Sequence, residues 1–220
     1  MNVAIRLWIM ISTMLLTCFS LCAFKEIELK IQLNAQQQKK FEGWLKKNAQ
    51  DEGSVMQEEY YFDNPAASFK GKAVEGFIDA VHFLRVRMTP KGDYVCHKFR
   101  CIDPATGKST HREEHETKVA DGKIMIKIFE SLGFTDKTPV KKVRKTYRYK
   151  DFEIALDDVE GVGKFIEVEL KREEDDVKKG TADIYQFLKE VGITELTRHH
   201  CGYVHMIWNP GYNFGEQEAI

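Results

Sequence analysis

The sequence predicts an α+β fold of about eight strands and three helices. Two observations carry this. Charged and apolar residues alternate with period 2 in segment after segment, which puts one kind on each face of a strand. Three other segments carry apolar residues at i, i+3 and i+4, the mark of a helix with one buried face. With 220 residues and 43% hydrophobic content, the chain can bury the core of one domain.

In chain order, Glu26, Glu28 and Lys30 alternate with Ile27, Leu29 and Ile31. Asn34, with Gln37 three residues on, starts a helix whose stripe is Phe41, Trp44 and Leu45. An extended stretch ends at Tyr61-Phe62-Asp63 and is broken by Asn64-Pro65. Arg85 and Arg87 alternate with Leu84, Val86 and Met88. Lys98 and Arg100 share one face of 94–101; Arg112, Glu114 and Glu116 share one face of 109–119. Asp121 caps a second helix carrying Ile124, Ile128, Phe129 and Leu132, closed by Gly133. Lys142 and Arg144 flank Val143, with Val140 and Tyr147 nearby. Asp157 ends the run from Phe152, and Glu167 and Glu169 alternate with Ile166, Val168 and Leu170. Thr181 caps a third helix with Ile184, Phe187, Leu188 and Val191, stopped at Gly192. The insertion between Asp63 and His82, with Gly71 and Gly76, reads as a mobile lid.

Two arrangements satisfy this pattern. Two sheets could pack by their apolar faces, leaving the charges in solvent as surface salt bridges. Alternatively the helices cover the apolar faces from outside and the charged faces line a wet lumen. Buried charges cost several kcal/mol unless matched, so such a lumen calls for a ligand that needs both signs. Arginine and lysine match phosphate; clustered carboxylates match a hard divalent cation. A polyphosphate with magnesium is such a ligand.

The 33 Lys+Arg against 34 Asp+Glu give a net charge of −1, which supplies no global attraction to nucleic acid. The five cysteines (Cys18, Cys22, Cys96, Cys101, Cys201) form no disulfide framework and read as reduced thiols. His199, His200, Cys201 and His205 read as a polar helix end rather than a zinc site, for want of further ligands. Lys171 to Lys179 is a solvated mixed-charge run. Leu7 to Phe24 carries no charge and follows Arg6. Residues 1–23 are thus set apart as an apolar leader: an export signal or anchor, or a start codon assigned too far upstream. The folded domain spans 24–208, and 209–220 read as a tail.

Six motifs in order resemble the CYTH superfamily of triphosphate tunnel metalloenzymes. Glu26-Ile27-Glu28-Leu29-Lys30 resembles its ExExK signature. Arg85-Val86-Arg87, Lys98, Arg112-Glu113-Glu114-His115-Glu116 and Lys142-Val143-Arg144 follow as its RxR, lysine, RxExE and KxR elements. The block Asp157 to Glu169, with Gly161, Gly163 and Phe165, is similar to that of the class IV adenylyl cyclase branch. The resemblance implies an eight-stranded antiparallel closed β-barrel, the tunnel, with helices outside. It implies that Lys30, Arg85, Arg87, Lys98, Arg112, Lys142 and Arg144 bind the triphosphate. Glu26, Glu28, Glu114, Glu116, Asp157, Glu167 and Glu169 would hold Mg²⁺ or Mn²⁺, with Glu26, Glu28 and Lys30 catalytic. The expected partner is ATP or inorganic triphosphate, and the expected reaction is conversion of ATP to cyclic AMP and pyrophosphate. Hydrolysis of a triphosphate and non-catalytic polyphosphate binding are the alternatives. No tryptophan adjoins Arg85-Val86-Arg87 to stack on thiamine. A cytoplasmic homodimer fits this reading, with membrane contact only through 1–23.

Overall fold

The computed structural model describes residues 26–72, 76–102 and 109–220, and within these the side chains of 72, 101–102 and 109–112 lie outside the description. The leader therefore lies outside the described residues. No helix among those described is long and apolar enough to cross a membrane.

The elements are β1 (Ile27–Gln32), α1 (Ala35–Asn48), β2 (Gln50–Asp63), β3 (Lys70–Lys72), β4 (Ile78–Ala80), β5 (His82–Thr89), β6 (Gly92–Ile102), β7 (Ser109–Val119), α2 (Gly122–Ser131), β8 (Asp136–Tyr149), β9 (Phe152–Val159), β10 (Gly163–Leu170), α3 (Val177–Glu190), β11 (Glu195–His199), α4 (Tyr203–Trp208) and β12 (Gly215–Ala219). Ten strands form one sheet in the order β12-β11-β1-β10-β9-β8-β2-β5-β6-β7, and β3 and β4 form a separate hairpin. Every pairing is antiparallel.

The expected closed eight-stranded barrel is not formed: among the described residues, hydrogen bonding ends at β7 and β12. The reason lies in β1, the strand that would have to receive β7. One edge of β1 pairs with β10, and Lys30 to Gln32 on the other edge pair with β11. The sheet curls all the same, because Lys98 on β6 reaches Glu26 at the head of β1 at 2.7 Å. An ion pair spans the seam that hydrogen bonds leave open. The supposed tail also differs, since it carries β12, whose Glu218 lies opposite Leu196.

The helices cover the apolar outer faces and turn the charged faces inward, so the lumen arrangement is the one adopted. Asn34 caps α1 by accepting from Gln37 N at 2.9 Å. Phe41 and Leu45 of α1 and Ile184, Phe187 and Leu188 of α3 pack on Ile27, Leu29, Ile31, Ile166 and Val168 of β1 and β10. Each such side chain contributes about 1.5–3 kcal/mol by leaving water. Gly180 allows α3 to come close: a Cβ there would lie 2.6 Å from Ile27 Cδ1. The cap of α3 is Asp176 rather than Thr181; its carboxylate accepts from Lys178 N and Lys179 N at 2.9 and 3.2 Å. The charged run thus supplies the first helical turn. Asp121 caps α2 as expected, at 3.0 Å from Ile124 N. Phe129 of α2 meets Phe62, but Ile124, Ile128 and Leu132 remain exposed.

Candidate functional site

The inward faces enclose a cavity of about 1,520 Å³. Its two ends differ. One is closed by α4, whose Tyr203 and Val204 pack with Val140, Val159 and Phe165. The other is lined by the segment Lys171–Asp175 and Lys179.

The closed end is a saturated ion network. Arg144 donates to both oxygens of Asp157, at 2.7 and 2.5 Å, and also bonds Glu167. Lys30 lies 3.1 Å from Glu167 and donates to the Cys201 carbonyl at 3.1 Å. Glu59 on β2 is 1% exposed and lies 3.3 Å from both Arg85 and Lys142. Burial would raise the Glu59 carboxyl, but Lys142, Arg85, Arg87 and Arg144 outweigh it and hold it down at about 2. Glu167 is likewise held well below the usual carboxylate range, its burial outweighed by Arg144 and Lys30. Lys142 is pushed below the ordinary lysine value, first by burial and then by its neighbour Arg144.

On β5–β7, Arg85 also faces Glu114 and Glu116 at 3.6 and 3.4 Å, and Arg87 bonds Glu116 at 2.7 Å. Lys98 bridges Glu26 and Glu114, both at 2.7 Å. Burial would lower Lys98, yet the two carboxylates hold it well above the ordinary range.

Toward the other end, acid exceeds base. Glu28 stands opposite Glu169 and near Glu26 and Glu167, and makes no hydrogen bond or ion pair with a described residue. Burial, then Glu167 and Glu26, push its carboxyl up to about 7. Glu169 is also raised, mainly by burial, although Lys171 lies 2.6 Å away. An unpaired hard oxygen donor among other carboxylates suits a divalent cation such as Mg²⁺ or Mn²⁺. Glu28 is the candidate ligand here, with Glu26 and Glu169 beside it if they leave Lys98 and Lys171. In the same cavity Glu114 and Glu116 bring their carboxylates and the Cys96 thiol within 4.8 Å of one another. Asp157 and Glu167, expected in the same set, are instead engaged by Arg144, Lys30 and Tyr203.

Of the expected site residues, all but Asp157 and Arg112 line a single cavity; Asp157 is buried behind Arg144 and Tyr203, and the side chain of Arg112 lies outside the description. Three residues were not foreseen. Glu59 shares a face with Tyr61 on β2, and that alternation was a usable signal. Cys96 donates its thiol to Glu114 at 2.9 Å, and burial pushes that thiol up to about 12. Tyr203 comes from a short helix and left no periodic trace. The C-terminal histidines do not form one cluster: His205 bonds Asp79, His199 bonds Gln32 and His200 bonds Glu216. The expected lid is the β3–β4 hairpin, tied down by Lys70–Asp136 at 2.6 Å and by Asn209 on both polar backbone atoms of Ile78.

The CYTH domain family profile matches residues 25–203. A Methanocaldococcus jannaschii protein named as a putative adenylate cyclase is 32% identical over 141 residues, covering 64% of this chain and 74% of that protein. A structure from Pyrococcus horikoshii OT3 is similar at 26% identity and TM-score 0.57, covering 76% of this chain and 90% of that one. A Hippeastrum protein, described as a putative adenylyl cyclase with a dominant triphosphatase activity, shares the fold at 20% identity and TM-score 0.57, covering 83% and 94%. The profile spans most of the chain, over the strands that build the charged cavity, and the chain belongs to the CYTH domain family.

Proposed function

We propose that this protein is a metal-dependent enzyme that converts ATP to cyclic AMP and pyrophosphate at the end of the cavity away from α4. The observation that carries this is the partition of charge. The cations Lys30, Lys142 and Arg144 lie against the closed end, whereas Glu28, a carboxylate with no hydrogen bond or ion pair to a described residue, lies toward the other. A phosphate chain entering from the open side would seat its terminal phosphates on the lysines and arginines and leave its α-phosphorus beside Glu26 and Glu28. There the ribose 3′-oxygen bonds to the α-phosphorus, the bond to the bridging oxygen breaks, the hydroxyl proton leaves to a base, and pyrophosphate departs. A bound divalent cation would offset charge on the phosphate oxygens in that region. The cleavage of any linear triphosphate in this register leaves pyrophosphate at the closed end.

A second reading, hydrolysis of inorganic triphosphate, is favoured by the lining. No aromatic ring lines the cavity from β9, β10 or the 171–175 segment, so that side offers no stacking surface to a nucleobase. The full chain incubated with Mg²⁺ or Mn²⁺ and either substrate, with products resolved by ion exchange, tests both. Cyclic AMP with pyrophosphate from ATP supports the first reading. Phosphate with pyrophosphate from triphosphate alone supports the second. ADP with phosphate from ATP would overturn the register common to both.

A further inference from the structure

We propose that Tyr203 is a positioning residue: the face of its ring holds the ammonium groups of Lys30 and Lys142 at the closed end of the cavity. Lys30 Nζ lies 4.1 Å from the ring centroid and Lys142 Nζ 5.0 Å from it. Both ammoniums belong to the charged network, and a buried lysine needs its charge met from several directions. Carboxylates meet it from the sheet, through Glu167 for Lys30 and Glu59 for Lys142. The electron-rich ring face meets it from α4. A flexible four-carbon stem gives an ammonium little orientation of its own, so a rigid aromatic plane is what fixes where the two charges stand.

The ring is itself held in place. Its hydroxyl donates to Asp157 Oδ2 at 2.8 Å, and its edge meets Phe165 at 5.1 Å. The helix that carries it is pinned beyond the cavity. His205 bonds Asp79 of β4 at 2.9 Å, and Asp79 also receives Arg100 at 2.5 Å. Trp208 Nε1 donates to Thr138 of β8 at 2.8 Å. With six residues, α4 is too short to hold its orientation by its own hydrogen bonds; these side-chain ties supply it. Asp79 and Trp208 therefore act on the lysines through Tyr203. In the register proposed above, on which this rests for its consequence in turnover, the lysines receive the terminal phosphates, and Tyr203 sets how deep the phosphate chain sits.

Two measurements test this, one without substrate. In protein labelled with ¹³C-lysine, the ε-methylene signal of Lys30 should be shifted upfield by the ring current of Tyr203. Tyr203→Phe should keep that shift and Tyr203→Leu should abolish it; Tyr203→Met takes the place of the leucine variant if that fails to fold. In steady-state assays with inorganic triphosphate, Tyr203→Leu should raise KM about tenfold, the loss of two partly buried cation–π contacts, with a smaller change in kcat. Tyr203→Phe should restore most of the KM while its Tm falls through loss of the Asp157 bond. An unshifted Lys30 signal in the parent protein overturns the proposal. So does a leucine variant with unchanged KM, or a phenylalanine variant as impaired as the leucine one. If the parent neither binds nor turns over triphosphate, the functional reading fails instead, and the lysine signals alone decide the role of Tyr203.

Discussion

Glu59 and Glu28 are the same residue type, Glu59 buried in the wall of the cavity and Glu28 half-buried in its lining, and their proton affinities move in opposite directions. Burial disfavours the carboxylate at both. At Glu59 it meets Lys142 and Arg85, and the charged form wins, at about 2. At Glu28 it is joined by Glu167 and Glu26, and the neutral form gains, at about 7. Burial is common to the two ends of the cavity; the sign of the neighbouring charge differs. The closed end is therefore matched before any ligand arrives, whereas the opposite end has a mismatch that a cation would relieve.

The largest expected effect lies at the matched end. Glu59→Gln leaves Arg85 and Lys142 without their shared carboxylate, and should cost about 3–5 kcal/mol of stability, read as a fall in urea midpoint. A neutral outcome would mean that the Glu59 network is not buried as described. Next comes pH. A carboxyl held at about 2 when folded, against an ordinary 4.5, stabilises the fold fully above the ordinary value. That contribution, about 3 kcal/mol, is lost as pH falls from 4.5 through 2. Acid titration should show a loss larger by about that amount in the parent than in Glu59→Gln, which keeps the acid sensitivity of Glu167.

Glu28→Gln probes the mismatched end and should separate activity from stability. Turnover should fall by about a hundredfold or more, while triphosphate binding by calorimetry persists. Stability should change in the opposite sense to Glu59→Gln. A carboxyl raised to about 7 costs stability as pH rises above the ordinary value, so removing its charge should raise Tm at pH 8 in the presence of a chelator. A Glu28 variant with full turnover would remove the distinction between the two ends. The smallest effect belongs to the outward neighbour. Ile27→Val on β1 should cost about 1 kcal/mol and leave the rate of ATP or triphosphate turnover intact, because Ile27 packs under α3.

Face parity was legible in the sequence wherever a strand had both of its faces committed. Ile27, Leu29 and Ile31 went outward under α3 and Glu26, Glu28 and Lys30 inward, as their alternation required. The cap of α1 at Asn34 and that of α2 at Asp121 were legible because a cap is a local bond between near neighbours. The cap of α3 was missed because Asp176 sits inside a run of charges where any acid would serve. Tyr203 was missed because its contacts, to Asp157, Lys30 and Lys142, span 46 or more positions and leave no spacing to read.

By itself, the sequence determined which side chains could share a face, and hence that acids and bases would meet in quantity. Period 2 is a property of the backbone and needs no partner. Only the tertiary structure decided which acid met which base. Pairing across the cavity depends on sheet curvature, on β11 occupying the edge of β1, and on α4 closing one end. Each of these is fixed by contacts between segments far apart in the chain. For that reason the motif Glu26-Ile27-Glu28 gave no sign that Glu26 would pair with Lys98 while Glu28, two residues away on the same face, would form no ion pair with a described residue.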